Sequence, residues 1–516
     1  MQKLAIEYLR ETKDRFPDKP ALVDRAGSVT FSELWRRGVE LGEAIRQTAG
    51  AWNEPFVVDI DKSADAVVAI VAVQLSGNIY VPFDVKTPRE RRRRMLESLG
   101  PHVVLDNSGG RFRLDGTPLA PALGPFADVE AALLARLAAR GSLDPLYVIF
   151  TSGSSGVPKG VAIANASVID YIDWARRTYD VTEREVIGGQ APLYFDNSVL
   201  DLYLTFACGA TLHLLDREHF LFLPSLMDYL RAHGINFVFF VPSILSNVAA
   251  LGLLDDPLPE LRKVLFAGEA MPPSTLKHLR AKLPRALLSN LYGPTEITVD
   301  CIYWIFGDVI GEENVVPLGV PCANSEIVFL SDEGRVVSKP DEVAEICVGG
   351  IGVALGYWND PDKTRGAFIQ NPEHDRYRHI LYRTGDLGYR SAKDGLIYMV
   401  GRKDDQIKHL GHRIEPGEIA SALNRVPGVV QSSVQYDAEK KWIVAFYCAA
   451  GGAEVPGLRD ALADALPPYM LPREFVPVDA IPFTPSGKVD RGALWDVRRQ
   501  RRGDKAGRDP SEGRRS

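Results

Sequence analysis

The chain has 516 residues, a formal net charge of -7, 46% hydrophobic residues and 25% charged residues. A chain of this length exceeds a single hydrophobic core, so at least two domains are expected. The composition is that of a soluble globular protein, and the negative charge argues against nucleic acid as the main partner. The five cysteines lack the spacing of a metal or redox site, which predicts a reduced cytoplasmic protein without a metal scaffold.

Three segments near the N-terminus have helical patterns. The sequence "MQKLAIEYLRETKDRFPDKP" predicts an amphipathic helix and lacks the apolar block of a secretory signal. The run "AVVAIVAVQL" is too short to span a membrane and predicts a buried element. The basic run "RERRRRML", which follows Pro88, predicts the solvated face of a helix.

Apolar strand-like runs alternate with helical patterns from about residue 20 to 300, which predicts an α/β body. From about 315 to 400 the runs shorten and glycines multiply, which predicts a β-rich subdomain. A smaller α+β pattern then follows. The predicted domains are residues 1–403, residues 404–497 and a disordered polar tail at 498–516.

One acidic residue stands inside an apolar segment, "APLYFDNSVLDLY", at Asp196. A carboxylate is costly to bury unless a cation or hydrogen-bond donors face it. Asp196 therefore predicts either a ligand-binding acid or, alternatively, the cap of a helix that begins near Ser198.

The segment "YVIFTSGSSGVPKGV" predicts a phosphate-binding loop that follows a strand. Small hydroxylated residues allow backbone N–H groups and hydroxyls to surround phosphate oxygens, and Lys159 adds a positive charge. The order of a Walker loop is absent, and "GSSGV" lacks the last glycine of a nucleophile elbow. From this segment alone, a flexible surface loop is the alternative.

The loop and nine further motifs, in order along residues 29–491, resemble the adenylate-forming superfamily of acyl-CoA synthetases, luciferases and peptide-synthetase adenylation domains. The further motifs are "VTFSEL", "GNIYVPFD", "FDNS", "LYGPTE", "GYWNDPDKT", "YRTGDLG", "GRKDDQIKHLGHRIEPGEI", "LPPYMLP" and "PSGKVDR". This resemblance implies a large N-terminal domain with αβ-layered subdomains and a β-rich, distorted-barrel subdomain. It also implies a small mobile α+β C-terminal domain, with a hinge at Asp404.

The same resemblance implies ATP and Mg²⁺ as cofactors and assigns a nucleotide site. Tyr292 would stack on adenine, Asp386 and Arg402 would bind the ribose, and Glu296 would be the metal ligand. The catalytic residues would be Thr151, Glu296 and Lys488, whose ammonium stabilises charge in the transition state. The residues assigned to ATP or AMP are Thr151, Ser152, Gly153, Ser154, Ser155, Gly156, Lys159, Gly268, Glu269, Ala270, Asn290, Leu291, Tyr292, Gly293, Thr295, Asp386, Arg402 and Lys488.

In the amino-acid-activating branch of this superfamily, the aspartate of the "FDNS" position pairs with the substrate ammonium, which gives Asp196 its cation. The resemblance places Asp196 in a substrate pocket whose other members are Asn197, Leu200, Phe239, Leu265, Ala267, Leu291, Val299, Asp300 and Lys488. Its six apolar members resemble the pocket of L-proline ligases, so L-proline is the first substrate prediction. The polar Asn197 and Asp300 depart from that group and leave serine, a hydroxylated proline or a diamino acid as alternatives, besides D-alanine and β-amino acids.

The implied reaction forms an aminoacyl-adenylate and pyrophosphate, and then transfers the amino acid to a phosphopantetheine thiol. No carrier motif follows Lys488, so a separate carrier protein is expected as partner, with no membrane involved. Two departures, Asn165 in place of a usual histidine and the pair His409-Leu410, indicate a divergent branch. The competing interpretations are an acyl- or aryl-CoA ligase and a non-catalytic binding protein on the same fold.

Overall fold

The structure is a computed structural model that describes residues 2–108, 110–120, 124–153, 157–307, 315–403, 405–449, 454–482 and 489–506. The chain forms two compact units. The first comprises Met1–Val85, Leu96–Thr151 and Lys159–Asp404, and the second comprises Lys86–Met95, Ser152–Pro158 and Asp405–Ser516.

The helices are bounded as follows: α1 (Ile6–Arg15), α2 (Phe31–Ala49), α3 (Ala64–Leu75), α4 (Arg89–Leu99), α5 (Phe126–Leu137), α6 (Asn165–Thr178), α7 (Asn197–Cys208), α8 (Arg217–Leu221), α9 (Leu223–Ala232), α10 (Pro242–Ala250), α11 (Pro273–Lys282), α12 (Pro361–Ala367), α13 (Pro416–Leu423), α14 (Leu458–Ala463) and α15 (Arg491–Ala506). Within the described residues, none of these helices is both long enough and apolar enough to cross a bilayer.

The strands are bounded as follows: β1 (Pro20–Asp24), β2 (Gly27–Thr30), β3 (Pro55–Asp59), β4 (Ile79–Pro82), β5 (Val103–Ser108), β6 (Arg111–Leu114), β7 (Thr117–Pro118), β8 (Pro145–Thr151), β9 (Lys159–Ala164), β10 (Val186–Gly189), β11 (Thr211–Leu214), β12 (Phe237–Phe240), β13 (Lys263–Phe266), β14 (Leu287–Tyr292), β15 (Ile302–Ile305), β16 (Val320–Pro321), β17 (Ser325–Leu330), β18 (Ala344–Gly350), β19 (Gly356–Tyr357), β20 (Phe368–Gln370), β21 (Ile380–Arg390), β22 (Ile397–Arg402), β23 (Ile407–His409), β24 (His412–Ile414), β25 (Val429–Asp437), β26 (Trp442–Ala449) and β27 (Glu474–Pro477).

Two large sheets and a smaller one build the first unit. The strand order of one large sheet is β16-β15-β14-β13-β12-β10-β11-β1-β2, and that of the other is β19-β9-β8-β4-β3-β5-β6-β7. Strands β10 to β14 of the first of these sheets pair in parallel, as expected for alternating strands and helices. The predicted α/β body is thereby confirmed.

The predicted β-rich subdomain is confirmed as well. Its sheet has the order β17-β18-β21-β20, with β22 on β21, and all of these pairs are antiparallel. In the second unit, β25 and β26 pair antiparallel and β27 joins β26 in parallel. This unit has its own apolar cluster, in which α13 and α14 pack on the sheet.

Helix α3 is the buried element that the run "AVVAIVAVQL" predicts. Its N-cap Ser63 accepts a hydrogen bond from the N–H of Ala66, and its residues from Ala64 to Leu75 are buried almost throughout. It packs on α2 through glycines: a Cβ at Gly38 would lie 2.4 Å from the side chain of Val71. A larger residue at that position would force the two helices apart.

Two expectations about charged segments are corrected. Arg91 of the basic run is only 8% exposed, and its guanidinium pairs with the carboxylate of Glu418. The tail predicted to be disordered from residue 498 is helical through Ala506. Arg498 stabilises this helix because its guanidinium binds the carboxylates of Glu474 and Asp437 at 2.7 Å each. Residues 507–516 lie outside the described part of the chain.

Candidate active site

The carboxyl ends of β10, β12, β13 and β14 meet at one edge of a parallel sheet, where α/β proteins commonly bind ligands. The segments that leave these ends carry many of the residues predicted from the sequence. Asp196 follows β10, Gly268 and Glu269 follow β13, and Glu296 follows β14. The topology therefore brings the predicted substrate and nucleotide residues to the same edge.

The six apolar pocket residues are all buried, with exposed fractions of 0–4%, and belong to one hydrophobic cluster. Phe239 and Leu265 are register partners on β12 and β13. Ala267 follows β13 directly, two residues after Leu265. The remaining members of this apolar set are Leu200 on α7, Leu291 on β14 and Val299.

Asp196 is 9% exposed and occupies the N-cap position of α7, but its side chain makes no capping hydrogen bond. Its backbone is already helical, with φ -62° and ψ -28°, whereas a capping residue usually has an extended backbone. The alternative that Asp196 is present to cap a helix is therefore wrong. The adjacent Asn197 is the first residue of α7.

The negative charge of Asp196 also acts on Tyr147 of β8. The pKa of Tyr147 is raised well above its ordinary value by burial first, then by Tyr80 and Asp196. Within the described part of the chain, the Tyr147 hydroxyl is buried without a hydrogen-bond partner. A buried phenol therefore stays protonated close to this carboxylate.

A strained turn positions Asp300. Thr298 and Val299 have φ of 62° and 69°, a left-handed backbone that is unfavourable for β-branched residues and costs about 1–3 kcal/mol each. The Thr298 hydroxyl donates to the carbonyl of Gly352 at 2.7 Å, and a Cβ at Gly293 would lie 2.3 Å from the carbonyl oxygen of Val299. Hydrogen bonding and close packing thus maintain the turn.

Asp300 itself is 4% exposed, and its Oδ2 accepts a hydrogen bond of 2.7 Å from the hydroxyl of Tyr171 on α6. No role was predicted for Tyr171 from the sequence. The pair is distant in sequence, and a tyrosine within a helix carries no pattern that would have identified it.

Tyr292, Asp386 and Arg402 form a second cluster. Asp386 and Arg402 are cross-strand partners on β21 and β22, and the guanidinium of Arg402 pairs with Oδ1 of Asp386. The Tyr292 hydroxyl donates to Oδ2 of the same carboxylate. Burial and, secondly, the charge of Asp386 raise the pKa of Tyr292 well above its ordinary value. The structure therefore brings together the residues predicted for adenine and ribose.

The predicted phosphate loop connects the antiparallel strands β8 and β9, and Thr151 and Lys159 are register partners at its base. The Thr151 hydroxyl is buried, and no described residue forms a hydrogen bond with it. The Lys159 ammonium lies 3.2 Å from Oε1 of Glu296, whose side chain is fully buried. The base of the loop thus holds one cation, one carboxylate and one hydroxyl.

Tyr357 completes this group. Its hydroxyl donates to Oε1 of Glu296 at 2.9 Å, and the Lys159 ammonium lies 3.0 Å from the same hydroxyl. Tyr357 belongs to the motif "GYWNDPDKT", for whose residues no role was predicted from the sequence. This motif was therefore the feature of the sequence that could have identified Tyr357 as a site residue.

Within the second unit, the Ser152 hydroxyl donates to the carbonyl of Arg413 at 2.6 Å. Gly153 has no room for a side chain, because a Cβ would lie 2.1 Å from the carbonyl oxygen of Val157. Several predicted site residues lie outside the described residues: Ser154, Ser155, Gly156, the hinge Asp404 and the catalytic Lys488.

The other predicted nucleotide residues have mainly backbone or packing roles in this structure. Gly268 has φ of 89°, and Glu269 accepts a hydrogen bond of 2.9 Å from the N–H of Ser243. The Asn290 amide donates to the carbonyl of Pro317 at 2.8 Å. Ala270 is exposed, and Thr295 is buried at the start of a short 3₁₀ helix.

Lys62, which is half-buried, and Asp201, which is buried, are charged residues that were not predicted from the sequence. The Lys62 ammonium donates to the carbonyls of Gly189, Gln190 and Leu215 at 2.7–3.1 Å. Burial lowers the pKa of Lys62 and raises that of Asp201, while each charge partly opposes the shift of the other. Lys62 thereby fixes the backbone just before the segment that carries Asp196.

The sequence matches the family of AMP-binding enzymes over residues 9–358 and the AMP-binding enzyme C-terminal domain over residues 418–488. The chain therefore belongs to the family of AMP-binding enzymes. Tyrocidine synthase 1 of Brevibacillus parabrevis is 30% identical over 500 residues, which are 95% of this chain and 44% of that protein. Bacitracin synthase 1 of Bacillus licheniformis is 31% identical over 95% of this chain and 9% of that protein. The chain thus spans less than half the length of these relatives.

Solved structures share the fold. An adenylation domain of Vibrio cholerae in complex with glycyl-adenosine-5'-phosphate aligns with a TM-score of 0.83 at 20% identity, over 97% of this chain and 98% of that chain. The o-succinylbenzoate CoA synthetase of Bacillus subtilis aligns with a TM-score of 0.81 at 22% identity, over 96% of this chain and 98% of that chain. The predicted fold class, an α/β chain with a large N-terminal and a small C-terminal domain, is confirmed.

Enzymes of this family use ATP and Mg²⁺. The residues at the base of the loop fit both. Glu296 provides the hard carboxylate oxygen that Mg²⁺ prefers, and Lys159 provides a cation for phosphate oxygens. The Thr151 hydroxyl, which has no hydrogen-bond partner among the described residues, is a buried polar group that a phosphate oxygen would satisfy.

Proposed function

We propose that this protein activates an amino acid with ATP, forms the aminoacyl-adenylate with release of pyrophosphate, and transfers the amino acid to the phosphopantetheine thiol of a separate carrier protein. The observation that carries the proposal is Asp196, a carboxylate that is 9% exposed, lies four residues before Leu200 of the predicted apolar pocket and makes no capping hydrogen bond on its helix. A substrate ammonium is a favourable partner for such a carboxylate.

The chain's own residues would position the reactants. Asp196 would hold the amino acid by its ammonium, so that its carboxylate faces the α-phosphate of ATP. Asp386 and Arg402 would hold the ribose, and Thr151 and Lys159 would bind phosphate oxygens. Holding both reactants in line accounts for a large part of the rate of such a transfer.

In the reaction itself, an oxygen of the substrate carboxylate forms a bond to the α-phosphorus as the bond to pyrophosphate breaks. Lys488 would stabilise the charge that develops on the transferred group. Mg²⁺, held by Glu296, would neutralise charge on the leaving phosphates when bound. In the second half-reaction the carrier thiol attacks the activated carbonyl and AMP leaves.

The pocket residues define the side chain of the substrate less narrowly than Asp196 defines its amino group. The six apolar residues support L-proline, the first prediction from the sequence. Serine, a hydroxylated proline, a diamino acid, D-alanine and β-amino acids are the alternatives. An acyl- or aryl-CoA ligase is the competing activity, and the fold shared with a CoA synthetase is compatible with it.

The test is amino-acid-dependent exchange of pyrophosphate into ATP, with the proteinogenic amino acids, D-alanine, 4-hydroxyproline, diaminopropionate, β-amino acids and acids without an amino group. Wild type should respond to an amino acid, and Asp196→Asn should reduce kcat/KM for it by about 100-fold or more, because a buried ammonium loses its partner. The KM for ATP should change little.

Asp216→Asn is a matched control, since it removes a carboxylate that pairs with Arg25 in a partly exposed ion pair after β11. It should leave kcat/KM unchanged. Activity with acids that lack an amino group, undiminished in Asp196→Asn, would contradict the proposal and identify an acyl- or aryl-CoA ligase.

A further inference from the structure

Strand β21 contains a β-bulge in the segment that carries Asp386. Cys347 of β18 is the register partner of Arg383. Glu345, two residues before Cys347, is the partner of Leu387. Between these two pairs β21 advances by four residues and β18 by two, so β21 carries two extra residues. Bulges of this kind are common beside active sites, where they redirect a side chain.

The Glu345 carboxylate binds the backbone of this bulge. Glu345 is buried, and its Oε1 accepts a hydrogen bond of 3.2 Å from the N–H of Gly385. The carbonyl of Gly385 accepts from the N–H of Lys403 at 2.8 Å. Gly385 has φ of 73°, a left-handed backbone that glycine adopts readily. The N–H and the carbonyl of Gly385 are therefore both held, immediately before Asp386.

Two cations fix the Glu345 carboxylate in turn. Nη2 of Arg383 donates to Oε2 of Glu345 at 2.6 Å, and Nζ of Lys403 donates to the same oxygen at 3.2 Å. Hydrogen bonds between charged groups are roughly twice as strong as those between neutral groups. The oxygen that binds the N–H of Gly385 thus has a defined position.

Thr384 stabilises the same bulge through its hydroxyl. The hydroxyl donates to the carbonyl of Ile346 at 2.7 Å and accepts from the N–H of Asp386 at 3.0 Å. Ile346 is the residue of β18 that lies between the two register pairs. Two successive backbone N–H groups of the bulge, at residues 385 and 386, are therefore bound by side chains.

The bulge determines where the Asp386 carboxylate lies. Asp386 is buried, and its two oxygens accept from the Tyr292 hydroxyl and from the Arg402 guanidinium. These three residues are the ones predicted to contact adenine and ribose. A displacement of about 1 Å in a group that positions a reactant can reduce a rate by about 100-fold. The support of the bulge therefore matters for the nucleotide.

We propose that Glu345 is a positioning residue that acts through the N–H of Gly385 and holds the Asp386 carboxylate at the ribose hydroxyls of ATP. Thr384 contributes to the same support through the N–H of Asp386. The inference rests on the proposed function, because it takes Asp386 as a ribose ligand. It goes beyond that function by assigning a role in nucleotide binding to two residues for which none was predicted.

The experiment measures the dissociation constants of ATP, 2′-deoxy-ATP and 3′-deoxy-ATP by isothermal titration calorimetry. Wild type should bind ATP about tenfold or more tightly than at least one deoxy analogue, because that analogue lacks a hydroxyl that donates to a carboxylate. Glu345→Gln should raise the Kd of ATP by about three- to tenfold and leave the Kd of that analogue within about twofold. The amide oxygen of glutamine carries no charge and cannot replace both carboxylate oxygens, so the bulge would shift.

Glu326→Gln is the matched control, because Glu326 lies on β17 of the same sheet and its carboxylate is 2.7 Å from Nε2 of His379. It should keep the wild-type preference for ATP. If Glu345→Gln does not fold, as judged by thermal unfolding, Thr384→Val replaces it. This variant removes one hydroxyl and nearly keeps the size of the side chain, and it should reduce the preference for ATP in the same way.

The outcomes separate this inference from the proposed function. An equal loss of affinity for ATP and for the deoxy analogue in Glu345→Gln would show a general structural effect and overturn the positioning role, as would an unchanged preference. Wild type that binds all three nucleotides equally overturns the ribose contact of Asp386, and this inference with it. Amino-acid-dependent pyrophosphate exchange tests the proposed function separately, since nucleotide binding is measured without an amino acid.

Discussion

At the scale of single residues, Tyr357 is the most informative addition to the site. Its hydroxyl contacts both the Lys159 ammonium and the Glu296 carboxylate, so it sets the distance between a cation and an anion that are both predicted to act on ATP. If Glu296 holds Mg²⁺ as proposed, this buried hydroxyl would tune how the carboxylate is shared between the lysine and the metal ion.

Tyr357→Phe should therefore raise the Mg²⁺ concentration needed for half-maximal pyrophosphate exchange and lower kcat/KM for ATP by about three- to tenfold, the worth of one hydrogen bond. The reason is that Lys159 and Glu296, which already lie 3.2 Å apart, would lose the hydroxyl that is hydrogen-bonded to both. A Mg²⁺ titration of the exchange rate measures the effect.

Tyr398→Phe provides the control for this change. Its hydroxyl is also buried and donates to Asp394 at 2.7 Å, in a turn of the β-rich subdomain. The control should have the Mg²⁺ dependence of wild type. A shift of equal size in both variants would show that the effect comes from the loss of any buried tyrosine hydroxyl and not from the contacts of Tyr357.

At the scale of elements, Glu345 connects strands β18 and β21 with Lys403, near the end of the first unit. It lies on β18, is 2% exposed, and its Oε2 accepts from Arg383 on β21 at 2.6 Å and from Lys403 at 3.2 Å. Burial alone would raise the pKa of Glu345, but the hydrogen bonds and charges of Arg383 and Lys403 outweigh it, so the pKa is lowered.

Glu345→Gln should lower the free energy of unfolding at pH 7 by about 1–3 kcal/mol, because charge-assisted hydrogen bonds are lost. A carboxyl with a lowered folded pKa stabilises the protein above its ordinary pKa of 4.5 and loses that contribution as the pH falls through the folded value. The difference between wild type and variant should therefore shrink below about pH 4.

Urea unfolding at pH 7 and pH 3.5 measures both effects. Glu333→Gln is the control, since this carboxylate is 66% exposed, accepts from the Ser331 hydroxyl at 2.9 Å and lies 3.4 Å from Arg335. It should change the stability little at either pH. A difference for Glu345→Gln that is the same at both pH values would contradict the assigned role.

At the scale of the whole molecule, the second unit is assembled from pieces of chain that are far apart in sequence. Arg91, in the segment Lys86–Met95, pairs with Glu418 of α13, 327 residues away. Both side chains are less than a tenth exposed, and burial lowers the pKa of Arg91. A buried ion pair of this kind adds little net stability, because the cost of desolvating both charges offsets their attraction.

Arg91→Met should lower the stability of the protein by roughly 3–5 kcal/mol, because the Glu418 carboxylate stays buried without its cation. The double variant Arg91→Met/Glu418→Met should recover most of this loss, since apolar residues of similar size replace both charges. Thermal and urea unfolding of the single and double variants measure the effect. A double variant that is as unstable as Arg91→Met would refute the pairing argument.

Local patterns predicted the fold well, since strand and helix alternation, the buried helix α3 and the β-rich subdomain follow from apolar periodicity. They failed where a charged side chain is buried by contacts with residues that are distant in sequence. The basic neighbours of Arg91 predict a solvated side chain, and the polar sequence around Arg498 predicts a disordered tail. Their burial depends on Glu418, Glu474 and Asp437, none of which is near in sequence.

The site shows the same division. Asp196 was identifiable because an acid interrupts an apolar run, and the resemblance to a family located Asp386, Arg402 and Glu296. Tyr171 and Lys62 carry no such signal, because a tyrosine in a helix and a lysine in a loop are common. Their importance arises from a single hydrogen bond to Asp300 and from three backbone carbonyls, respectively.

The bond between Tyr171 and Asp300 also limits which substitutions either position tolerates, over evolutionary time or in a directed-evolution library. A substitution of Asp300 by an apolar residue would leave the Tyr171 hydroxyl buried without its acceptor, which costs about 1–3 kcal/mol. A substitution of Tyr171 by a residue without a hydroxyl would remove the donor from which Oδ2 of the buried Asp300 accepts. Substitutions should therefore be tolerated best when both positions change together, and libraries that vary one position at a time would miss these combinations.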